Sequence, residues 1–133
     1  MQKNQDAALL IIRLAVGIML LFHGIAKIIN GVGEIQEMLS GKGIPGFIAY
    51  GVYIGEIIVP LMLIAGFRTR IASILLTINM LVIIFVAHAA DILSISDHGA
   101  WKLELQGFYL FCTLALLFAG AGKYAVSTGS KWD

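Results

Sequence analysis

Four long apolar runs, Ala7–Ile29, Phe47–Gly66, Ile71–Ala90 and Trp101–Ala121, are separated by short breaks rich in glycine, proline and charge. A membrane-crossing helix needs about 20 mostly apolar residues, so each run predicts one crossing. None alternates with the period of a barrel strand, and the need to pair every backbone group in lipid leaves helices. The breaks carry turn chemistry: Gly31, Gly33, Gly41, Gly43 and Pro45 in the first, a tight hairpin at Gly66-Phe67-Arg68-Thr69-Arg70 in the second, and a polar turn at Ser94–Gly99 in the third. Gly120 and Gly122 close the last run. Glu34–Ser40 predicts a short interfacial helix, and the tail from Lys123 is expected to be mobile. The pattern predicts an all-α fold: one polytopic domain over residues 1–133, a four-transmembrane-helix bundle.

The polar positions inside these runs are few and concentrated. Glu56 lies mid-way along the twenty residues Phe47–Gly66. A carboxylate at that depth is costly and calls for an interior position and a partner. The first run carries Arg13, His23 and Lys27, the third Asn79 and His88 followed by Asp91, and the fourth Glu104 and Gln106. Counting from each segment's centre at about 1.5 Å per residue puts Glu56 and Asn79 near the midplane. On the same count His23 and Gln106 lie roughly 7–8 Å outward, His88 and Glu104 about 11 Å, and Lys27 about 13 Å. Arg13 falls roughly 8 Å to the opposite side. All four helices thus predict a polar pocket in one half of the bundle. Arg13, His23 and Lys27 share an arc of roughly 80° bordered by Gly17 and Gly24, where a neighbouring helix approaches closely. Gly51 and Gly55 form a GxxxG before Glu56, serving the bundle or a dimer. Pro60 removes an internal hydrogen bond, predicting a kink and a free carbonyl at Glu56. Asn79 and His88 sit about 180° apart on a straight helix, so they share a pocket only if the helix bends. Simpler readings stand beside these: Lys27 and Glu104 snorkelling to the interface, His88 solvated at a helix end, and the tyrosines and Trp101 forming the interfacial belt.

Composition narrows the class. Of 133 residues 59% are hydrophobic and 13% charged, against a charged fraction of about 25% in soluble domains. No basic run offers a nucleic-acid footprint. The lone Cys112 forms neither an intrachain disulfide nor a thiolate zinc site. Ala7–Ile29 is too long for a signal-peptide core and no small-residue cleavage site follows it, so it is expected to act as an uncleaved insertion signal. Lys3, Arg68, Arg70, Lys123 and Lys131 fall on one side and only Lys27, Lys42 and Lys102 on the other, which predicts both termini in the cytoplasm.

Arg13-Leu14-Ala15-Val16-Gly17, Phe22-His23-Gly24 and Lys27 resemble the opening signature of the DoxX family, as do Lys42-Gly43-Ile44-Pro45 and Glu56. Gly66-Phe67-Arg68-Thr69-Arg70 is similar to that family's hairpin, and Gly120-Ala121-Gly122-Lys123-Tyr124 to its ending. The family's usual Ser-Leu-Asp after that ending is replaced by Ala125-Val126-Ser127. The resemblance covers nearly the whole chain. It implies a small four-helix protein of the bacterial inner membrane, in a family associated with quinone, thiol and oxidative-stress chemistry and with oxidoreductase systems.

The leading reading is a quinone-linked redox role. Glu56 and His23 are the candidate catalytic groups, and Arg13, His23, Lys27, Glu56, Asn79, His88, Glu104 and Gln106 the candidate ligand-binding set. The headgroup would accept hydrogen bonds from His23 and Lys27, with Glu56 exchanging protons. No CxxC, haem or dinucleotide motif is present, so electrons would come from a soluble or membrane redox partner. The alternatives are a small-solute or proton-coupled transporter, working as a homo-oligomer, and a membrane anchor for a soluble oxidoreductase. His23, His88 and Glu56 or Glu104 offer imidazole and carboxylate, but no spacing selects a metal and none is assigned.

Overall fold

The computed structural model describes residues 3–133. Helix α1 (Gln5–Asn30) starts where the Asn4 side chain accepts a hydrogen bond from the Ala7 N–H at 3.0 Å, an N-cap reinforced by Asp6 in the first turn. Gly31, at φ 77°, ends it. The short helix expected over Glu34–Ser40 forms as α2 (Gly33–Gly41). Helix α3 (Gly46–Ala65) opens on a 3₁₀ stretch after Pro45, passes through a π-turn at Ile54–Ile58 and finishes as regular α-helix. Gly66 then takes the left-handed conformation and its N–H and that of Phe67 donate back to Leu63 and Met62. That closure leaves α4 (Thr69–Ala87) to begin three residues later. Helix α4 ends in a second π-turn, Ile83–Ala87, and α5 is Glu104–Ala119.

The crossings expected at Ile71–Ala90 and Trp101–Ala121 are therefore displaced. Helix α4 stops at His88, whose ψ of 24° leaves the helical path. Trp101 is held in a small hairpin instead: it bridges Ile95, and its indole N–H donates to the Ile92 carbonyl at 2.8 Å. Helix α5 keeps 16 residues, about 24 Å, short of the ~30 Å hydrocarbon core. At its ends Leu103 and Ala121 are buried against the rest of the chain, while Lys102 and Glu104 stay exposed.

The four long helices close a ring in the order α1–α3–α4–α5. Its core is Val16, Leu20, Val59, Leu63, Ala72, Leu76, Met80, Tyr109 and Leu116. A second cluster, Val32, Leu39 and Ala49, glues α2 and the chain before it across the start of α3, with Val86 of α4 packed against it. Phe22, Phe85, Phe108, Phe111 and Phe118 point outward, where lipid and not water meets them. This is an all-α membrane bundle.

Glycine contacts fix the register between α1 and α3. A Cβ on Gly17 would lie 2.7 Å from Ile64 Cγ1 and 3.0 Å from the Pro60 carbonyl oxygen. A Cβ on Gly24 would run into the Glu56 carbonyl, and one on Gly66 into the Arg13 guanidinium. Gly24 is thus level with Glu56, and Arg13 with the hairpin. Counting depth from segment centres misplaces both because α1, at 26 residues, overshoots its partners at the hairpin end. The Glu56 carbonyl, expected to be open to a ligand, lies against Gly24 and not in an open space.

The tail is docked, contrary to the mobile segment expected. Val126 and Ser127 N–H groups donate to the Ala65 and Gly66 carbonyls at 3.1 and 3.2 Å, and Arg70 N–H to the Trp132 carbonyl at 3.0 Å. Its bonds are backbone bonds, which side-chain periodicity does not report. The Ser127 hydroxyl donates to Asp133 Oδ1 at 2.6 Å and the Ser130 N–H to Oδ2 at 2.6 Å. The Ser127 bond above all, against some burial and helped by Ser130, Arg68 and Gly129, holds the Asp133 carboxyl below its ordinary value.

Candidate functional site

A cavity of about 480 Å³ opens inside the bundle under α2. Its walls are apolar side chains of all five helices, Leu20, Ile35, Met38, Val52, Met80, Val86 and Leu105 among them. The polar groups that reach it are His23 and Lys27 from α1, Glu56 from α3, Asn79 from α4, Gln106 and Tyr109 from α5, and His88 just past the end of α4. Six of the eight residues singled out in the sequence therefore share one space.

Glu56 is 4% exposed and forms an ion pair with Lys27 Nζ through Oε2. The register explains the pairing: Lys27 lies one turn beyond Gly24, and helical side chains lean toward the N-terminus, so the ammonium drops back to Glu56. The Tyr53 hydroxyl donates to the Lys27 carbonyl at 3.0 Å and pins the same turn. The π-turn at Ile54–Ile58 carries Glu56 itself, and such turns in membrane helices mark sites where side chains are re-aimed.

Gly55 makes room for Asn79, since a Cβ there would sit 2.5–2.7 Å from the Asn79 amide atoms. Asn79 Nδ2 is buried with no hydrogen-bond partner among the described residues. Asn79 is one of the residues that line the cavity, so this donor stands beside that space with no partner of its own. The second π-turn answers the geometry of Asn79 and His88. One extra residue per turn cuts their angular separation from about 180° to about 80°, so both line the cavity. At the rim His88 Nδ1 is 3.5 Å from Asp91 Oδ2, and Lys102 Nζ is 3.7 Å from Oδ1 of the same carboxylate.

Two expected members lie elsewhere. Glu104 is exposed in the first turn of α5, where a carboxylate suits the positive end of the helix, and does not line the cavity. Arg13 is fully buried at the hairpin end, its Nη2 donating to the Tyr124 carbonyl at 2.5 Å. Its Nε and Nη1 have no partner among the described residues. Arg13 holds the docked tail, a long way from the cavity along α1. Conversely Tyr109, read from the sequence as an interfacial aromatic, is buried in the cavity wall and meets the His23 ring edge-on at 6.4 Å between centroids. Its three-residue spacing from Gln106 was the available signal, since such pairs share a helix face. Among the described residues no three His, Cys, Asp or Glu side chains gather as a metal site.

Fold and cavity together define a polytopic all-α membrane protein with a polar, ligand-sized space inside its bundle. The DoxX family model matches residues 8–89, which takes in α1 to α4, and the chain belongs to the DoxX family. It is 37% identical over 102 residues to a Haemophilus influenzae protein named "Uncharacterized protein", a match covering 74% of this chain and 66% of the relative. It is 30% identical over 81 residues to a Bacillus subtilis protein named "Putative oxidoreductase CatD", covering 61% and 60%. A second Haemophilus influenzae "Uncharacterized protein" is 29% identical over 126 residues, covering 95% and 92%. The chain thus spans less than two thirds of the length of the first two relatives. No solved structure matches.

Proposed function

We propose that this chain is the membrane-embedded, quinone-binding component of a redox system, seated in the bacterial inner membrane with both termini cytoplasmic. The observation that carries the reading is the cavity's chemistry: apolar walls, a charge pair already internally neutralised at Lys27–Glu56, and one unpartnered buried donor, Asn79 Nδ2. Such a space rejects an ion, which would be desolvated without a counter-charge, and suits a neutral ring bearing carbonyl acceptors. Bound quinone would supply two-electron, two-proton chemistry. Asn79 would hold a ring carbonyl in place of the Lys27 contact expected from the sequence, because Lys27 is engaged by Glu56. Glu56 and His23 are the groups on which protons would be held beside the ring, and Tyr109 would orient the His23 imidazole. The chain carries no electron-transfer motif of its own, so a partner oxidoreductase would deliver electrons, and the name of the Bacillus subtilis relative is consistent with that setting.

The test is mass spectrometry of lipid-soluble molecules extracted from gently purified protein, wild type beside Asn79→Ala and Glu56→Gln, each checked for folding. Quinone near one per chain in wild type, and depleted in both variants, is the expected result. Bulk phospholipid alone in all three would overturn the reading.

A further inference from the structure

Resting on the quinone reading, we propose that the cavity is entered sideways from the bilayer, between α3 and α4, and that its ligand keeps an apolar tail in that gap. Three features of the cavity wall carry this. The first is where it is open. Ile54 on α3 and Ile78 on α4 both line the cavity and are 51% and 54% exposed. Ile48 and Gly51 on α3, and Leu75 and Val82 on α4, line it and are exposed likewise. On each helix these positions recur at three- to four-residue intervals, so they form one stripe per helix facing the same gap. Gly51 leaves room at this point of the gap, since a Cβ there would touch nothing within 4 Å.

The second feature is where the cavity is closed. Helix α2 lies over it with Ile35, Met38 and Leu39 in its ceiling, and Leu39 belongs to the cluster that joins α2 to α3. Val86 of α4 packs against that same cluster, so the roof ties the two helices together above the gap. A solute arriving from water over α2 meets this apolar ceiling, and beside it only the rim where His88, Asp91 and Lys102 already face one another. On the far side of the ring the His23–Tyr109 edge contact spans α1 and α5, although His23 and Leu105 also line the cavity and are exposed there.

The third feature is the chemistry of the opening. Every residue on its two sides is aliphatic or glycine and lies within a membrane-spanning helix. A water-soluble substrate gains nothing from such a passage and would lose its hydration in it. A chain of CH₂ or isoprenoid units crosses it without cost, while the polar head goes on to Asn79 and the Lys27–Glu56 pair. The ligand class is therefore a neutral carbonyl head on a long apolar tail.

The experiment uses the full chain in phosphatidylcholine nanodiscs. The probes are a benzoquinone with a decyl tail bearing a terminal diazirine, the same quinone without a tail, and a diazirine alkane without a head. Irradiation should place adducts of the tailed quinone on residues 48–54 and 75–82, with few from the headless alkane. Ile54→Trp and Ile78→Trp sit at lipid-exposed positions that tolerate bulk. Either should weaken the tailed quinone at least tenfold and the tailless one less than twofold, with unchanged thermal unfolding. Adducts on α1 or α5, or equal loss for both quinones, would overturn lateral entry while leaving quinone binding intact. Equal labelling by the headless alkane would show a groove for any chain and overturn it too. Binding of neither quinone to wild type would overturn the underlying reading, and this one with it.

Discussion

Glu56 and Lys27 satisfy each other at a depth where neither is tolerated alone. Removing one partner leaves a charge in a low-dielectric wall, a loss of roughly 3–5 kcal/mol for fully buried pairs. Lys27 keeps 26% of its side chain exposed, so a loss near the lower end, about 3 kcal/mol, is expected for Lys27→Met or Glu56→Leu. The double variant Lys27→Met/Glu56→Leu should regain most of it, because two apolar groups need no partner. Thermal unfolding in one detergent checks this, and a double variant no better than the worse single would mean the two do not act as a pair. Glu56 was legible in the sequence, since an ionisable residue in an apolar run has no bland explanation at the midplane, whereas Lys27 could equally have snorkelled to the interface. Tyr109 was not, because a tyrosine suits the interfacial belt as well as a cavity wall. Arg13 was misassigned because sequence gives a residue's distance along its own helix, while a site needs its level against the neighbours; Glu104 adjoins the cavity-lining Leu105 and Gln106 but faces away.

That level is set by glycines and π-turns. Gly24 is in contact with the Glu56 backbone, so Gly24→Ala must push α1 and α3 apart, with an expected loss of about 1–3 kcal/mol. Gly33→Ala, in the first turn of α2 with nothing within 4 Å of its Cβ, should be neutral or stabilise by up to about 1 kcal/mol. Their melting temperatures should move in opposite directions or differ by several degrees, and equal shifts would refute the contact. The π-turn at Ile83–Ala87 makes a sharper case. Deleting the outward-facing Phe85 should restore α-helical phase and swing His88 by about 100° away from the cavity. A cysteine at position 88 should then become reactive to a lipid-side maleimide and lose protection by ligand, whereas an unchanged pattern would mean the turn does not set its direction. The existence of four apolar helices, three of them long enough to cross a membrane, was legible from hydrophobic run length. The two π-turns were not, because one extra residue per turn leaves hydropathy unchanged. Only the conflict between Asn79 and His88 on a straight helix hinted at the second.

The molecule's two ends are built differently. At the α2 end an apolar roof covers the cavity, and at the hairpin end the tail is laced back by backbone bonds to Ala65, Gly66 and Arg70. Asp133 is the knot of that lacing, joining Ser127, Ser130 and, at 3.5 Å, Arg68. Its carboxyl titrates below its ordinary value of 3.8 when the tail is docked. A group whose value is lowered by docking binds fewer protons in the docked state. Its stabilising contribution is therefore complete above 3.8 and fades as pH falls below that through the lowered value. The tail should loosen in that acid window and not near neutrality, where nothing at this knot changes charge. Trp132, next to Asp133 and half-exposed, reports it: its fluorescence should shift toward that of a solvated indole below pH 3.8 and recover on return. Asp133→Asn should abolish the transition and give the loosened signal at neutral pH, while Asp97→Asn, in the loop at the other end, should leave it intact. A transition that survives in Asp133→Asn would place the acid-sensitive group elsewhere. Because Arg13 also holds the tail, through the Tyr124 carbonyl, Arg13→Leu should raise the midpoint of the same transition: with the second tether gone, less protonation of Asp133 suffices to release the segment.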